Sequence, residues 1–344
     1  MKIDKYQAGD TALLESFAQK LGTHHSLRYP QFVDYYYARS PWCELLTATG
    51  DSGEVAGVLG VERMEFAAGD RRMTLGFGSN FAAFESGAGG LLMLHWLKSC
   101  DFGLVFGGSA DTHRILRQQN WTWYPSIRVL RINRKYEFRP DAAWWKRLAG
   151  AILRSILPGT DLAERIRRVR ADGAPGVTVT ERQRFSPEML PAETAFAFRF
   201  APGVEYLNWR YNTELPFVRY RVFQIDMAND SGGYVVVNQQ PRRLVVAQCD
   251  GEDPIVLAQG ILATLETICR EDPVRREVFL TSSHVDMVDA FRSLGFRHSK
   301  REYPFAVGGL GRAPTISQDT GKWLVSFDWG DNGLRAPFPG QVAL

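Results

Sequence analysis

Two spacings of apolar residues succeed one another along this chain, in an order that occurs twice. Segments at 2–6, 44–49, 54–66, 71–84, 104–106 and 127–132 predict strands, the second and third joined by the turn Gly50-Asp51-Ser52-Gly53. Helical periodicity predicts helices from Asp10 to Lys20, from Pro30 to Arg39, from the turn Gly87–Gly90 to Leu97 or Lys98, and from Asp111 onward. Gly76 and Gly78 mark a bulge or a close backbone approach inside the strand 71–84. The second half repeats the order. A short helix at 206–211 precedes strands at 220–225, 233–238 and 243–249, then a helix at 254–269, a strand at 276–280, a helix at 284–294 and a strand near 298–305.

The repetition reaches individual residues. Asp111 to Trp121 (DTHRILRQQNW) and Asp286 to Phe296 (DMVDAFRSLGF) are each an amphipathic segment ending in a turn-prone residue and a large aromatic, 175 positions apart. The same offset places Pro41-Trp42 over Pro216-Phe217. Internal repetition of this kind points to two related domains. A meander followed by alternating helix and strand favours a mixed α/β (α+β) class over a doubly wound sheet, each domain being a mixed, mostly antiparallel sheet flanked by helices. We divide the chain at 1–137, 138–176, 177–308 and 309–344: first domain, basic linker, second domain and tail.

The linker differs from both neighbours. Trp144, Leu148, Ile152 and Ile156 recur at helical spacing with Trp145 beside them, and Lys146, Arg147 and Arg154 add positive charge. Such a helix can pack its tryptophans between two domains or lie on an anionic membrane surface, as a peripheral contact through 141–157. We expect packing, since two domains offer a groove. Pro158-Gly159 closes the segment and Ala171–Gly176 makes a flexible boundary. In the tail, Trp323, Val325 and Phe327 alternate as in a strand, while Asp328, Asp331 and Asn332 match no calcium loop.

With 344 residues the chain has room for two cores, and a net charge of +3 is too small to imply nucleic acid as partner. Cys43, Cys100, Cys249 and Cys269 are far apart, so no zinc site or redox dithiol is expected, and no metal. Asp4, Asp10 and Glu15 interrupt any signal-peptide core, and no apolar stretch approaches the ~20 residues of a bilayer span. A cytoplasmic location is the expectation. His24-His25 and His284 have no ligand spacing, and His95, in an apolar helical run, reads as a packed core histidine.

Chemistry concentrates at Phe84-Glu85-Ser86-Gly87-Ala88-Gly89-Gly90, where a strand runs into an apolar helix. A helix N-terminus presents N–H groups without intrahelical acceptors, and glycines let the turn close around a phosphate. Neither the dinucleotide fingerprint nor the Walker spacing is present. The second half has no such turn. There Cys249–Pro254 (CDGEDP) places Asp250, Glu252 and Asp253 where an anion would sit, and Asp253 with Pro254 reads as a helix cap.

Together these features resemble the GCN5-related N-acetyltransferase (GNAT) superfamily, specifically its tandem members, over about 1–135 and 195–305. The family's cofactor loop begins with Arg or Gln; here Phe84 holds that position, followed by Gly87 and Gly89. Ala290–Phe296 (AFRSLGF) fits the family's closing helix and Ile115–Trp121 fits it loosely. The resemblance implies transfer of an acyl group from acetyl-CoA, or another acyl-CoA, to an amine. Gly87, Ala88, Gly89 and Gly90 would hold the pyrophosphate, and backbone N–H groups around Asn80, Phe81 and Ala82 would polarise the thioester. Where family members carry an acidic tyrosine this chain has Leu116 and Phe291. The base and acid are therefore sought among Glu62 or Glu65, which point to opposite sides of their strand, Tyr124 after the closing aromatic, and His113. Glu85 is discounted because its charge would oppose the ligand. The implied acceptor is a small molecule, an amino sugar or a peptide. Peptidoglycan-type aminoacyl transferases share the two-domain plan, but the modest charge gives a tRNA donor little support. The competing reading is a non-catalytic binding or scaffold protein built from degenerate transferase domains, as in surface polysaccharide assembly.

Overall fold

The computed structural model of the protein describes residues 1–22, 25–133, 136, 142–157, 161–171, 176–227, 230–241, 243–272, 277–298, 303–310 and 316–326. His24, Pro158-Gly159, most of Ala171–Gly176, Phe327, Asp328, Asp331 and Asn332 lie outside them.

The first half comprises β1 (Lys2–Lys5), α1 (Thr11–Lys20), α2 (Pro30–Val33), β2 (Cys43–Thr49), β3 (Val55–Ala68), β4 (Arg71–Ala83), α3 (Ala88–Leu97), β5 (Phe102–Phe106), α4 (Ala110–Gln118) and β6 (Thr122–Asn133). The helix expected over 30–39 divides, α2 continuing as a π-helical turn, Asp34–Ala38. Two helices follow, α5 (Trp144–Ile156) and α6 (Leu162–Ala171), and α6 sends Leu162, Ala163 and Ile166 into the core of the second half. The second half comprises β7 (Thr178–Arg182), β8 (Phe198–Phe200), α7 (Val204–Arg210), β9 (Tyr220–Met227), β10 (Asp230–Gln239), β11 (Arg243–Gly251), α8 (Pro254–Glu271), β12 (Glu277–Ser282), α9 (Val285–Ser293), β13 (Arg297–His298) and β14 (Tyr303–Gly308), and β15 (Trp323–Leu324) follows in the tail.

The architecture is mixed α/β: two sheets flanked by helices and joined through β6. The first sheet runs β1-β2-β3-β4-β5-β14-β6 and the second β6-β12-β11-β10-β9-β7. Within each, one parallel contact interrupts an antiparallel array: β4 with β5, and β11 with β12. The early part of β6 pairs with β14 between Thr122 and Ile127, and its later part pairs with β12 between Arg128 and Asn133. Thus the last strand of the second half completes the first sheet, while β6 of the first half closes the second.

The repeated motif has a local cause. Asn120 (φ 56°) and Gly295 (φ 85°) are both left-handed. Trp121 N donates to Leu116 O and Asn120 N to Arg117 O, while Phe296 N donates to Phe291 O and Gly295 N to Arg292 O. Each helix thus ends in the same paired-bond cap, which turns the closing aromatic back into the core. Trp121 lies over the register neighbours Gly103 and Gly308, where an added Cβ would stand 2.9 Å and 2.4 Å from the indole. Gly76 and Gly78 serve the close approach of α3: a Cβ on either would meet Trp96, at 2.5 Å and 2.9 Å.

The two halves meet through aromatic residues of equivalent elements. Tyr35 stacks on Trp209 and donates from its hydroxyl to the Trp209 carbonyl (2.6 Å); Trp42 packs on Trp209 with centroids 5.2 Å apart. Glu62 faces Arg210 across this junction (Nε to Oε1 3.0 Å) and accepts from the Tyr206 hydroxyl, all three groups buried.

Two expectations change. His95 is exposed, its Nδ1 donating to Leu91 O one turn back (3.1 Å). The apolar stripe of α5 does not enter a groove between the halves but faces outward. Periodicity reveals that a helix has an apolar side without revealing what that side meets.

Candidate functional site

β4 and β5 are paired at only three positions, Leu75 with Phe102, Gly76 with Gly103 and Phe77 with Leu104. Beyond Phe77 the strands part. The register between β3 and β4 slips there too: Gly60 opposes Ser79 but Val58 opposes Ala82, so β4 carries an extra residue at Asn80–Phe81, with Asn80 at φ 49°. This bulge lies where β4 has lost β5 as a partner. The carboxyl ends of parallel strands open onto helix N-termini, the usual ligand crevice of such sheets.

The helix after β4 starts in an open glycine turn. Gly87 occupies the N-cap of α3 at φ 85° with no side-chain cap. Among the described residues the N–H groups of Gly89 and Gly90 have no backbone acceptor. A Cβ at Gly87 or Gly90 would meet nothing within 4 Å, so the turn is open, while Gly89 approaches the Phe81 ring. Ala88 is buried, and Glu85 lies against Gly50. Phe84 is exposed and rests on Phe17.

The equivalent place in the second half is closed. β11 and β12 also pair at three positions and part after Val245 and Phe279, and β11 also bulges, at Ala247. The gap is bridged by the tail: Thr281 Oγ1 donates to Val325 O (3.0 Å) and Ser326 Oγ donates to Gln248 Oε1. Arg199 from β8 pairs with Asp250 there. The N-terminus of α8 is capped by Asp253, whose Oδ1 accepts from Ile255 N (2.8 Å) and Val256 N (3.0 Å). Residues 246–251 and 280–282 are all buried, whereas 80–83, 105 and 107 in the first half retain access to solvent. Burial pushes the Asp250 carboxyl up to about 7, against the opposing pull of Arg199 and the Gly251 N–H.

The remaining candidates fall at distinct places. His113, on α4, donates from Nε2 to Gly107 O (2.7 Å) at the carboxyl end of β5, which leaves Nδ1 as acceptor in the neutral ring. Tyr124 is buried, stacked on Phe305, with its hydroxyl 3.5 Å from Ile316 O and its ionisation pushed up by burial. Glu65 is exposed and paired with Arg72 (3.3 Å). It borders a groove of about 420 Å³ lined also by Trp42, Arg63, Thr74 and Tyr206. Thr74 is nine residues from Ala83, so at ~3.3 Å per residue the groove lies ~30 Å along β4 from the glycine turn.

The structure adds a cluster not singled out from the sequence. The Tyr37 hydroxyl accepts from Asn80 Nδ2 (2.6 Å) and lies 3.3 Å from Ser79 Oγ, while Ser26 Oγ donates to Asn80 Oδ1 (2.9 Å). Gly60 makes room, since a Cβ there would stand 2.6 Å from the Tyr37 hydroxyl. The run Tyr35-Tyr36-Tyr37 was the visible signal; the π-helical turn that aims its third member at the bulge was not.

The bulged β4, parting from a parallel β5 and followed by a glycine-capped helix, belongs to a backbone path that solved structures share. The fold is that of the GCN5-related N-acetyltransferases. Solved structures sharing it include a probable N-acyltransferase of Enterococcus faecalis V583 (TM-score 0.55, 8% identity, 89% of this chain and 71% of that one). A GCN5-related N-acetyltransferase of Anabaena variabilis ATCC 29413 (0.54, 12%, 89% and 72%) and one of Kribbella flavida (0.51, 13%, 89% and 71%) are similar in the same way. The sequence matches no family model and no curated protein. The GNAT likeness rests on the path of the backbone, and the two-sheet arrangement agrees with a tandem form of it.

Proposed function

We propose that the protein is an acyl-CoA-dependent N-acyltransferase whose cofactor site lies in the first half, between β4, β5 and the N-terminus of α3. The observation that carries this reading is the contrast between the two halves: an uncapped, open glycine turn beside parted strands in one, a capped helix and a filled gap in the other. Acyl-CoA bound there would supply an activated acyl carbon for attack by an amine. The N–H groups of Gly89 and Gly90, which lack backbone acceptors among the described residues, and the helix dipole behind them suit its diphosphate. The Asn80–Phe81–Ala82 backbone suits the carbonyl oxygen where charge develops. Leu116 and Phe291, at the positions of the family's tyrosine, are buried in the core, so proton transfer falls to other groups. In this reading Tyr37, held against the bulge by Asn80, would protonate the leaving thiolate, and His113, whose Nε2 is bonded to Gly107 O at the end of β5, would accept a proton at Nδ1. An amino sugar or peptide amine remains the proposed acceptor class.

Titration calorimetry with acetyl-CoA tests the site. Gly90→Glu has room for its side chain and places an acid in the first turn, which favours the helix but opposes a diphosphate. A like charge ~5 Å away costs about 1–3 kcal/mol at effective dielectric constants of 80 to 20, hence ~5- to 150-fold weaker binding. Saturable binding by the native chain, lost to this degree in the variant, supports the transferase. Absence of binding to any acyl-CoA by the native chain moves the protein to the scaffold reading, which the buried Leu116 and Phe291 favour.

A further inference from the structure

Helix α5 turns its apolar side to solvent. At 100° per residue, Trp144, Trp145, Leu148, Ile152, Leu153 and Ile156 span an arc of about 180°. Their exposures are unusual for such side chains: 73% for Trp144, 56% for Trp145, 54% for Leu148, 49% for Ile152 and 70% for Ile156. The opposite side carries Gly150, the one buried residue of the helix, so that side faces the protein. Arg154 fastens the helix by donating from Nη1 to Tyr136 O (2.6 Å). Single exposed apolar side chains occur elsewhere on the protein, but a contiguous apolar patch of this kind marks an interaction site.

Charge selects the partner. Lys146 and Arg147 fall on either side of the apolar arc, and α5 contains no acidic residue. Helix α6 adds Arg165 and Arg167, while its Arg168 and Arg170 are paired with Glu164 and Glu266. These two helices are more positive than the chain as a whole, whose net charge is only +3. A second copy of the chain would bring the same positive charge to the same place, whereas an anionic lipid surface complements it. With 13 residues α5 extends ~20 Å, too short for the ~30 Å hydrocarbon core, so it suits the interface and not a crossing. Two adjacent tryptophans at one end are the side chains that settle at headgroup level. We infer that α5 docks the protein on an anionic bilayer surface, with its Trp144–Ile156 face seated among the headgroups and its basic flanks on lipid phosphates. This placement is independent of the transferase reading.

The test uses the full chain and sedimentation with vesicles of phosphatidylglycerol and phosphatidylcholine, against vesicles of phosphatidylcholine alone. The native chain is expected to partition onto the anionic vesicles and to leave them as salt is raised. Trp144→Ser/Ile156→Ser, at exposed positions, is expected to lower partitioning at least 10-fold with an unchanged melting temperature. Lys146→Glu/Arg147→Glu is expected to remove the preference for anionic lipid, at about fivefold or more per basic side chain. Native protein that sediments with neither vesicle overturns the inference. So does equal partitioning of native and Trp144→Ser/Ile156→Ser chains. Sedimentation velocity showing dimers that this double substitution abolishes, without vesicle binding, assigns the face to a second copy instead.

Discussion

Glu62 is both a candidate base and the centre of the junction between the halves, and Glu62→Gln separates the two roles. Its carboxylate is buried, 3.0 Å from Arg210 Nε and hydrogen-bonded by Tyr206. At 3.0 Å the gross attraction is about 5 kcal/mol for an effective dielectric constant near 20. Withdrawing one partner of such a buried pair costs about 3–5 kcal/mol, because the other stays desolvated. Unfolding entropy of ~2.1 cal/mol/K per residue over 344 residues converts this to a melting-temperature drop of ~4–7 °C, if the chain unfolds as one unit. Calorimetry and urea denaturation at pH 7 measure it, with Glu62→Leu/Arg210→Met as the closing variant. Replacing both charges by apolar groups is expected to recover most of the loss. A Glu62→Gln chain that melts within ~1 °C of native yet loses acyl transfer 100-fold would refute this reasoning and make Glu62 the base.

Other outcomes follow from the same geometry. Gly308→Ala drives a methyl into the Trp121 indole and is expected to cost about 1–3 kcal/mol, read by urea denaturation. Asp250 binds its proton more tightly folded than unfolded, so the native state holds the extra proton between the ordinary carboxyl range and about pH 7. Its contribution to stability therefore falls as pH rises through that window, and Asp250→Asn is expected to flatten the decline in a pH series of melts. Tyr37→Phe is expected to lower turnover about 10²-fold or more while leaving acetyl-CoA affinity nearly unchanged, separated by initial rates and calorimetry. Cys100, its thiol pushed up to about 11 by burial, is expected to resist alkylation at pH 8, measured by mass spectrometry.

Much of the candidate site was legible because it is local. The glycine turn, the helix it opens and the cap at Asp253 are written within a few residues of one another, where hydrogen-bond needs of a helix end act directly on residue type. Gly76 and Gly78 were legible as a backbone approach because glycine inside a strand leaves room for a neighbour, although the neighbour, Trp96, was not legible and the bulge lies at Asn80–Phe81. Tyr37 was not legible as a partner of Asn80, since 43 residues separate them and a π-helical turn sets the direction of the phenol.

The chain's periodicity determined which elements form, their order, the duplication, and the closing aromatic of each repeat, because these depend on caps and on one apolar side per element. Tertiary structure alone decided which strand lies beside which. It exchanged β6 and β14 between the sheets, threaded Val325–Ser326 into the second gap and turned α5 outward. A strand's alternation records that it has an apolar face, and its unpaired N–H and C=O groups accept any neighbour of suitable register. The choice among neighbours is made by packing between residues far apart in sequence, such as Trp121 with Gly308.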